Sequence, residues 1–277
     1  MRITKTICFV LILFATAPVA ANTSKFSALE GNPGLRSASA IVLDSSGNLI
    51  YGKDIDTVRS IASITKLMTA MVILDAGLDL DEDIVIANED RDFIRLTHSR
   101  LGVGATLQRR ELLLLALMSS ENRAAAALGR TYPGGLERFV SIMNAKAASL
   151  DMHSSRFADP AGLDADNVST ASDLARMLAA AQRYPMITES TTTLYRDVQP
   201  YVSRGSLTFN NTNRLLKNAN WTIELSKTGY INEAGRCLVM KTNIAGEEVS
   251  IVLLNSFGKL TPYGDSNRLR KWMLSNS

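Results

Sequence analysis

The chain has 277 residues, with 30 Lys and Arg against 27 Asp and Glu, 46% hydrophobic residues and two cysteines. This near balance of charge excludes the basic stripe by which a protein holds nucleic acid or an anionic membrane surface, and so few cysteines exclude a disulfide-stapled scaffold. The length is enough to bury a sizeable core, as one large domain or two lobes.

The first element stands apart from that core. Arg2 and Lys5 precede an apolar stretch from Ile7 to Ala15, and Val19-Ala20-Ala21 closes it before the chain turns polar at Asn22. A basic start, a short apolar run and small residues mark residues 1–21 as a secretory signal peptide, cut after Ala21. The run is shorter than the roughly 20 residues that span a bilayer, so no stable membrane anchor is expected. Cys8 lies inside the run without the small-residue context of a lipidated N-terminus. Loss of this segment removes Arg2 and Lys5, leaving 28 basic against 27 acidic residues and the single cysteine Cys237. Cys237 opens the apolar run Cys237-Leu238-Val239-Met240 and reads as a buried core thiol.

Residues 22–277 read as one domain. Ser39 to Leu43 and Leu49 to Tyr51, separated by Asp44-Ser45-Ser46-Gly47-Asn48, predict a β-hairpin. Ser63 to Ala76 is apolar at nearly every position after Lys66 and stops at Gly77; a helix apolar on all sides is a buried one. From about 78 to 190 helical spacing dominates, at Gln108 to Met118, Asn122 to Arg130, Leu136 to Leu150 and Ala171 to Tyr184. Turn signals such as Tyr132-Pro133-Gly134-Gly135 and Asp159-Pro160-Ala161-Gly162 fall between them. Strand patterns return at Thr222 to Lys227, Arg236 to Thr242 and Val249 to Asn255, and a last helix fits Ser266 to Leu274. Strands at both ends with helices between predict an α/β protein of the α+β type, one antiparallel sheet from both chain ends with a helical lobe inserted.

Three short strings carry chemistry: Ser63-Ile64-Thr65-Lys66, Ser120-Glu121-Asn122 and Lys227-Thr228-Gly229. With 26 Ser and 10 Lys in the chain, about one S-x-x-K is expected by chance, and Ser256-Phe257-Gly258-Lys259 is a second match that reads as a loop after a strand. Ser46-Gly47-Asn48 likewise matches S-x-N. K-T-G is the rare string, with about 0.05 occurrences expected from this composition. The order and context of the three together sketch a serine acyl-transfer site without histidine.

Each string has a physical rationale. Ser63 at a helix start has Lys66 one turn away on the same face. A serine nucleophile needs an adjacent base, and a lysine serves when burial or a second cation such as Lys227 lowers its pKa. The ordinary alternative is a helix N-terminus followed by a solvated lysine. Ser120 falls at the break between two helices, where its hydroxyl can relay a proton while the Asn122 amide binds a substrate carbonyl; the alternative there is a helix N-cap. Lys227-Thr228-Gly229 ends a strand, where Gly229 permits close backbone approach and the other two hold a carboxylate. Neither His98 nor His153 has a companion at metal-ligand spacing, so no metal and no cofactor is expected.

On these strings the chain resembles the low-molecular-weight penicillin-binding proteins of the D-alanyl-D-alanine peptidase family, and within it the penicillin-binding protein 7 type of D-alanyl-D-alanine endopeptidase. Ala62 to Ala70, Leu117 to Ala124, Met143-Asn144-Ala145-Lys146, Lys227 to Tyr230 and Ala234 to Met240 carry the resemblance over nearly the whole mature chain. It implies the fold shared by serine β-lactamases and penicillin-binding transpeptidases. It also implies Ser63 as acylated nucleophile, Lys66 as general base, and Ser120 and Asn122 as proton relay and substrate clamp. Lys227, Thr228 and Gly229 then form the substrate carboxylate site, and the backbone N–H groups of Ser63 and Tyr230 the oxyanion hole. The implied partners are peptidoglycan peptide stems, with β-lactam antibiotics as covalent inhibitors, in the periplasm. Arg236 departs from the histidine expected between Gly235 and Cys237, which bears on substrate preference.

Three rival functions are weaker. A class A β-lactamase places a glutamate beside its deacylating water, and the stretch Asp159 to Asn167 offers no evident counterpart. A D,D-carboxypeptidase of the penicillin-binding protein 5 type carries a further β-rich domain and an amphipathic anchor, for which the 48 residues after Gly229 leave no room. An inactive wall-binding protein is disfavoured because all the motif side chains are intact.

Overall fold

The computed structural model describes residues 24–26 and 29–275; the segment read as a signal peptide lies outside them. The hairpin forms as β1 (Ser39–Asp44) and β2 (Leu49–Lys53), and the C-terminal strands are β3 (Thr222–Ile231), β4 (Gly235–Ile244) and β5 (Glu247–Ser256). They make one antiparallel sheet in the order β2-β1-β5-β4-β3, with Ser39 opposite Leu254 where the two chain ends meet. The apolar runs of β4 and β5 follow from burial on both faces. Because side chains alternate along a strand, Leu238, Met240, Ile251 and Leu253 enter one core, and Cys237, Val239, Val252 and Leu254 the other.

The first of these cores lies under the C-terminal helix α7 (Thr261–Ser275). The second is shared with the helical lobe, through α1 (Thr65–Asp75), α2 (Arg109–Met118), α3 (Asn122–Arg130), α4 (Gly135–Ser149), α5 (Ala171–Ala181) and α6 (Pro185–Thr192). Residues 65–73 of α1 are all buried, because α2, α3, α4 and α5 surround it.

Several boundaries differ from the sequence reading; the last helix, for example, starts at Thr261 rather than Ser266. The helix predicted to run from Ala171 to Tyr184 stops at Ala181, and Pro185 opens a separate helix, where its missing N–H costs nothing. The strand predicted to end at Lys227 continues to Ile231, so Lys227-Thr228-Gly229 lies inside the sheet's edge strand. The lobe also holds a hairpin, Tyr195–Val198 with Leu207–Asn210.

Candidate active site

Ser63 occupies a single 3-10 turn, Ala62–Ile64, that feeds directly into α1. Ala62 takes φ +48°, a left-handed conformation that a non-glycine residue holds only when its surroundings impose it. Two glycines show the source of that pressure. A Cβ on Gly162 would sit 2.0 Å from the Ala62 carbonyl oxygen, and one on Gly229 would sit 2.8 Å from the Ile61 oxygen and 3.2 Å from the Ser63 nitrogen. The nucleophile's backbone is thus gripped between the 159–164 turn and strand β3.

Lys66 is wholly buried, and its Nζ contacts three oxygens: Ser63 Oγ at 2.9 Å, Asn122 Oδ1 at 2.8 Å and the Ala161 carbonyl at 2.6 Å. Two of these are carbonyl oxygens, which only accept. When Lys66 is a neutral amine, its two N–H groups satisfy Asn122 and Ala161, and the lone pair is left facing Ser63 Oγ. The Asn122 orientation is itself determined. Its Nδ2 donates to Thr97 Oγ1 at 3.0 Å, while Thr97 Oγ1 donates to Asp92 Oδ2 at 2.7 Å, so the Thr97 hydrogen is engaged and its lone pair faces the amide. Asp92 also accepts from the backbone N–H groups of Ile94, Arg95 and Thr97, which holds its carboxyl below the usual range.

The Ala161 carbonyl is aimed by Asp159. Its carboxylate accepts from the backbone N–H groups of Ala161, Gly162, Leu163 and Asp164 and from Asn167 Nδ2, folding residues 159–164 into a tight turn. The turn presents a carbonyl to Ser63 and Lys66, and the Asp159 carboxylate is fully engaged behind it.

On the opposite wall, Ser120 sits between α2 and α3 with φ +60°. It does not cap α3. Glu121 does, accepting from the Arg123 N–H at 3.1 Å, and Ser120 Oγ instead accepts from Lys227 Nζ at 2.9 Å. Lys227 is 1% exposed and donates also to the Thr228 carbonyl at 3.0 Å. Thr228 Oγ1 donates to Thr212 Oγ1 at 2.6 Å. Tyr230 lies opposite Arg236 in the β3–β4 register, with the Arg236 guanidinium 3.6 Å from its ring centre. These walls enclose a cleft of 390 Å³ lined by Ser63, Ser120, Asn122, Thr228, Gly229 and Tyr230, among others.

Burial lowers the pKa of both lysines, because an ammonium loses hydration it cannot recover inside. Lys66 falls to about 8, held from going lower by Asp159, Glu121 and Asp92. Lys227 falls well below its ordinary value through burial and then through the charge on Lys66. The repulsion between the two lysines is mutual, and the carboxylates near Lys66 partly offset its burial.

Ser63, Ser120, Asn122, Thr228, Gly229 and Tyr230, expected from the sequence as site residues, line this one cleft, and Lys66 and Lys227 adjoin it through Ser63 and Ser120. The reading missed Asp92, Thr97 and the role of Asp159. Asp159-Pro160-Ala161-Gly162 was legible as a turn, but nothing local says which carbonyl meets a lysine 95 residues away.

A buried lysine lies within hydrogen-bond reach of the Ser63 hydroxyl, an arrangement that suits serine acyl transfer without histidine. A family model described as D-alanyl-D-alanine carboxypeptidase matches residues 27–258, and the chain belongs to that family of serine D-Ala-D-Ala peptidases. It is 46% identical over 273 residues to a D-alanyl-D-alanine endopeptidase of Pseudomonas aeruginosa, covering 98% of this chain and 88% of that one. A D-alanyl-D-alanine endopeptidase of Escherichia coli is 45% identical over 260 residues, 93% of this chain and 83% of the relative. The crystal structure of the Streptomyces K15 DD-transpeptidase superposes with a TM-score of 0.81 at 26% identity, over 89% of this chain and all of the other.

Proposed function

We propose that the protein is a D,D-endopeptidase that hydrolyses D-alanyl to diaminopimelate crosslinks of peptidoglycan through an acyl-enzyme on Ser63. The observation that carries the chemistry is the set of contacts on Lys66, two carbonyl acceptors and the Ser63 hydroxyl, which leaves a neutral amine one direction for its lone pair. Lys66 takes the Ser63 proton as Oγ attacks the D-alanine carbonyl carbon. The backbone N–H groups of Ser63 and Tyr230 receive the oxyanion. The carbon–nitrogen bond then breaks, Ser120 passes a proton to the departing amine, and Lys66 restores the proton balance of the pocket. In the second half, water attacks the ester, Lys66 takes its proton and Ser63 regains one; the net reaction consumes one water and releases both peptides.

The departing amine belongs to a D-configured centre that bears a free carboxylate. Lys227 and Thr228 bind that carboxylate, and its charge answers the lack of a counter-ion at Lys227. A protonated Lys227 in turn favours neutral Lys66. A terminal D-alanine presents the same carboxylate, so carboxypeptidase activity follows from the same motif, and the rest of the cleft decides between the two.

The Asp159 carboxylate behind Ala161 is engaged by five donors and is not free to activate water, and a β-lactam adduct on Ser63 is expected to persist. Among the described residues no helix is long and apolar enough to cross a membrane. The basic and apolar start of the chain supports export to the periplasm, with residues 22–277 as a single catalytic domain. Purified protein should convert crosslinked dimers to monomers faster than pentapeptides to tetrapeptides. Efficient pentapeptide trimming with dimers left intact would make it a carboxypeptidase.

A further inference from the structure

The cleft holds more positive charge than one carboxylate requires. Beyond Lys227, its lining includes Arg214, Arg236 and Lys259, and no Asp or Glu. Among the described residues none of these three enters an ion pair, whereas Arg95, Arg109, Arg130, Lys146 and Lys241 all do. Glu233, three residues before Arg236 in the chain, is taken by Arg95 at 2.8 Å. Arg214, Arg236 and Tyr263 all line this cleft. With the chain's formal net charge only +3, unpaired cations gathered at one cleft mark a place where the counter-charge comes from outside.

Arg236 is the best-organised of the three. It is half-buried, whereas Arg214 and Lys259 are exposed, and its guanidinium lies over the Tyr230 ring at 3.6 Å. A guanidinium stacked by its face keeps its N–H edge free, and that edge matches a carboxylate in a bidentate fork. Arg236 and Tyr230 line the same cleft as Ser63 and Gly229.

We propose that Arg236, with Arg214 and Lys259 beside it, forms a second carboxylate subsite that recognises the leaving peptide stem. The inference rests on the endopeptidase reading above. A leaving D-alanine has one carboxylate, which Lys227 and Thr228 account for. A leaving stem has others, on its own terminal D-alanine and on its γ-linked glutamate. The subsite therefore favours crosslinks over terminal residues through charge, by binding a group that only the longer leaving peptide carries.

The test compares Arg236→Gln and Arg236→Lys on three substrates: a crosslinked dimer with free carboxylates, the same dimer with the leaving stem's carboxylates amidated, and a pentapeptide. Arg236→Gln should lower kcat/KM on the free dimer about tenfold, mainly through KM, and at least about fivefold more than on the pentapeptide. Arg236→Lys should recover part of the loss, and on the amidated dimer the effect should shrink to about twofold. Equal losses on dimer and pentapeptide, or a loss unchanged by amidation, would overturn the subsite. Calorimetric binding of the free tetrapeptide stem to Ser63→Ala protein, with and without Arg236→Gln at low and high salt, provides a measure independent of turnover. A wild-type enzyme that trims pentapeptides but leaves dimers intact refutes the endopeptidase reading; stem binding indifferent to Arg236→Gln refutes the subsite.

Discussion

The two walls of the cleft differ in how their polar atoms are satisfied. On the α1 wall, Lys66, Asn122, Thr97, Asp92 and Asp159 form a closed set of hydrogen bonds in which nearly every donor has an assigned acceptor. On the β3 wall, among the described residues, Lys227 is buried without a carboxylate partner, Thr228 donates to another hydroxyl, and Arg214, Arg236 and Lys259 enter no ion pair. The first wall is preorganised, which suits the proposed proton transfer because its groups need not rearrange as charge develops. The second is electrostatically incomplete, which suits the anionic substrate proposed for it. In the proposed function the proton transfer at Ser63 belongs to the α1 wall and the carboxylate site to the β3 wall.

Removing the nucleophile breaks the comparison at its centre. Ser63→Ala should reduce β-lactam acylation by about 10⁴-fold or more, read as loss of the covalent mass increment on the peptide containing residue 63; labelling that persists would place the nucleophile elsewhere. The two lysines then separate the walls. Lys66→Arg keeps a charge that cannot act as a base and should cost acylation about 10³-fold, whereas Lys227→Arg keeps a cation for the carboxylate and should cost about tenfold. Equal losses would count against separate roles.

The grip on the nucleophile's backbone is tested by Gly162→Ala. Its Cβ would meet the Ala62 carbonyl at 2.0 Å with the backbone at φ +76°, so stability should fall by about 3 kcal/mol in thermal or denaturant unfolding, with acylation impaired alongside. An unchanged melting temperature would show that the turn yields freely.

The orientation relay predicts a smaller effect. Thr97→Val removes the hydroxyl that fixes Asn122 and should slow acylation about fivefold to tenfold, with Thr97→Ser restoring it; a loss that serine does not rescue would point to packing. Acylation by a neutral β-lactam should rise with pH and level off above about 8, where Lys66 loses its proton. Stability has a related signature. The folded pKa of Lys66 lies below the unfolded one, so the unfolded chain binds more protons in between, and this group's contribution to stability rises as pH increases from about 8 toward the unfolded value. A flat acylation profile across that range would remove Lys66 as the titrating base.

Much of this was legible in the residues themselves. The apolar runs at Cys237 to Met240 and Val249 to Asn255 could satisfy their periodicity only as strands buried on both faces, and the unbroken apolar stretch after Lys66 only as a helix with neighbours on every side. Ser63 and Lys66 are one helical turn apart, so their meeting follows from helix geometry alone. That Ser120 bonds Lys227, 107 residues away, was foreseeable only as a coincidence of motifs. Asp92, Thr97 and Asp159 carried no such mark, because an acceptor that orients a neighbour looks locally like any turn residue. Local spacing sets which side chains share a face and where backbone can bend. Which carbonyl meets Lys66 and which cations are left without ion-pair partners among the described residues depend on groups brought together from distant segments, where burial and unscreened charge act over a few ångströms, and only the tertiary structure decides them.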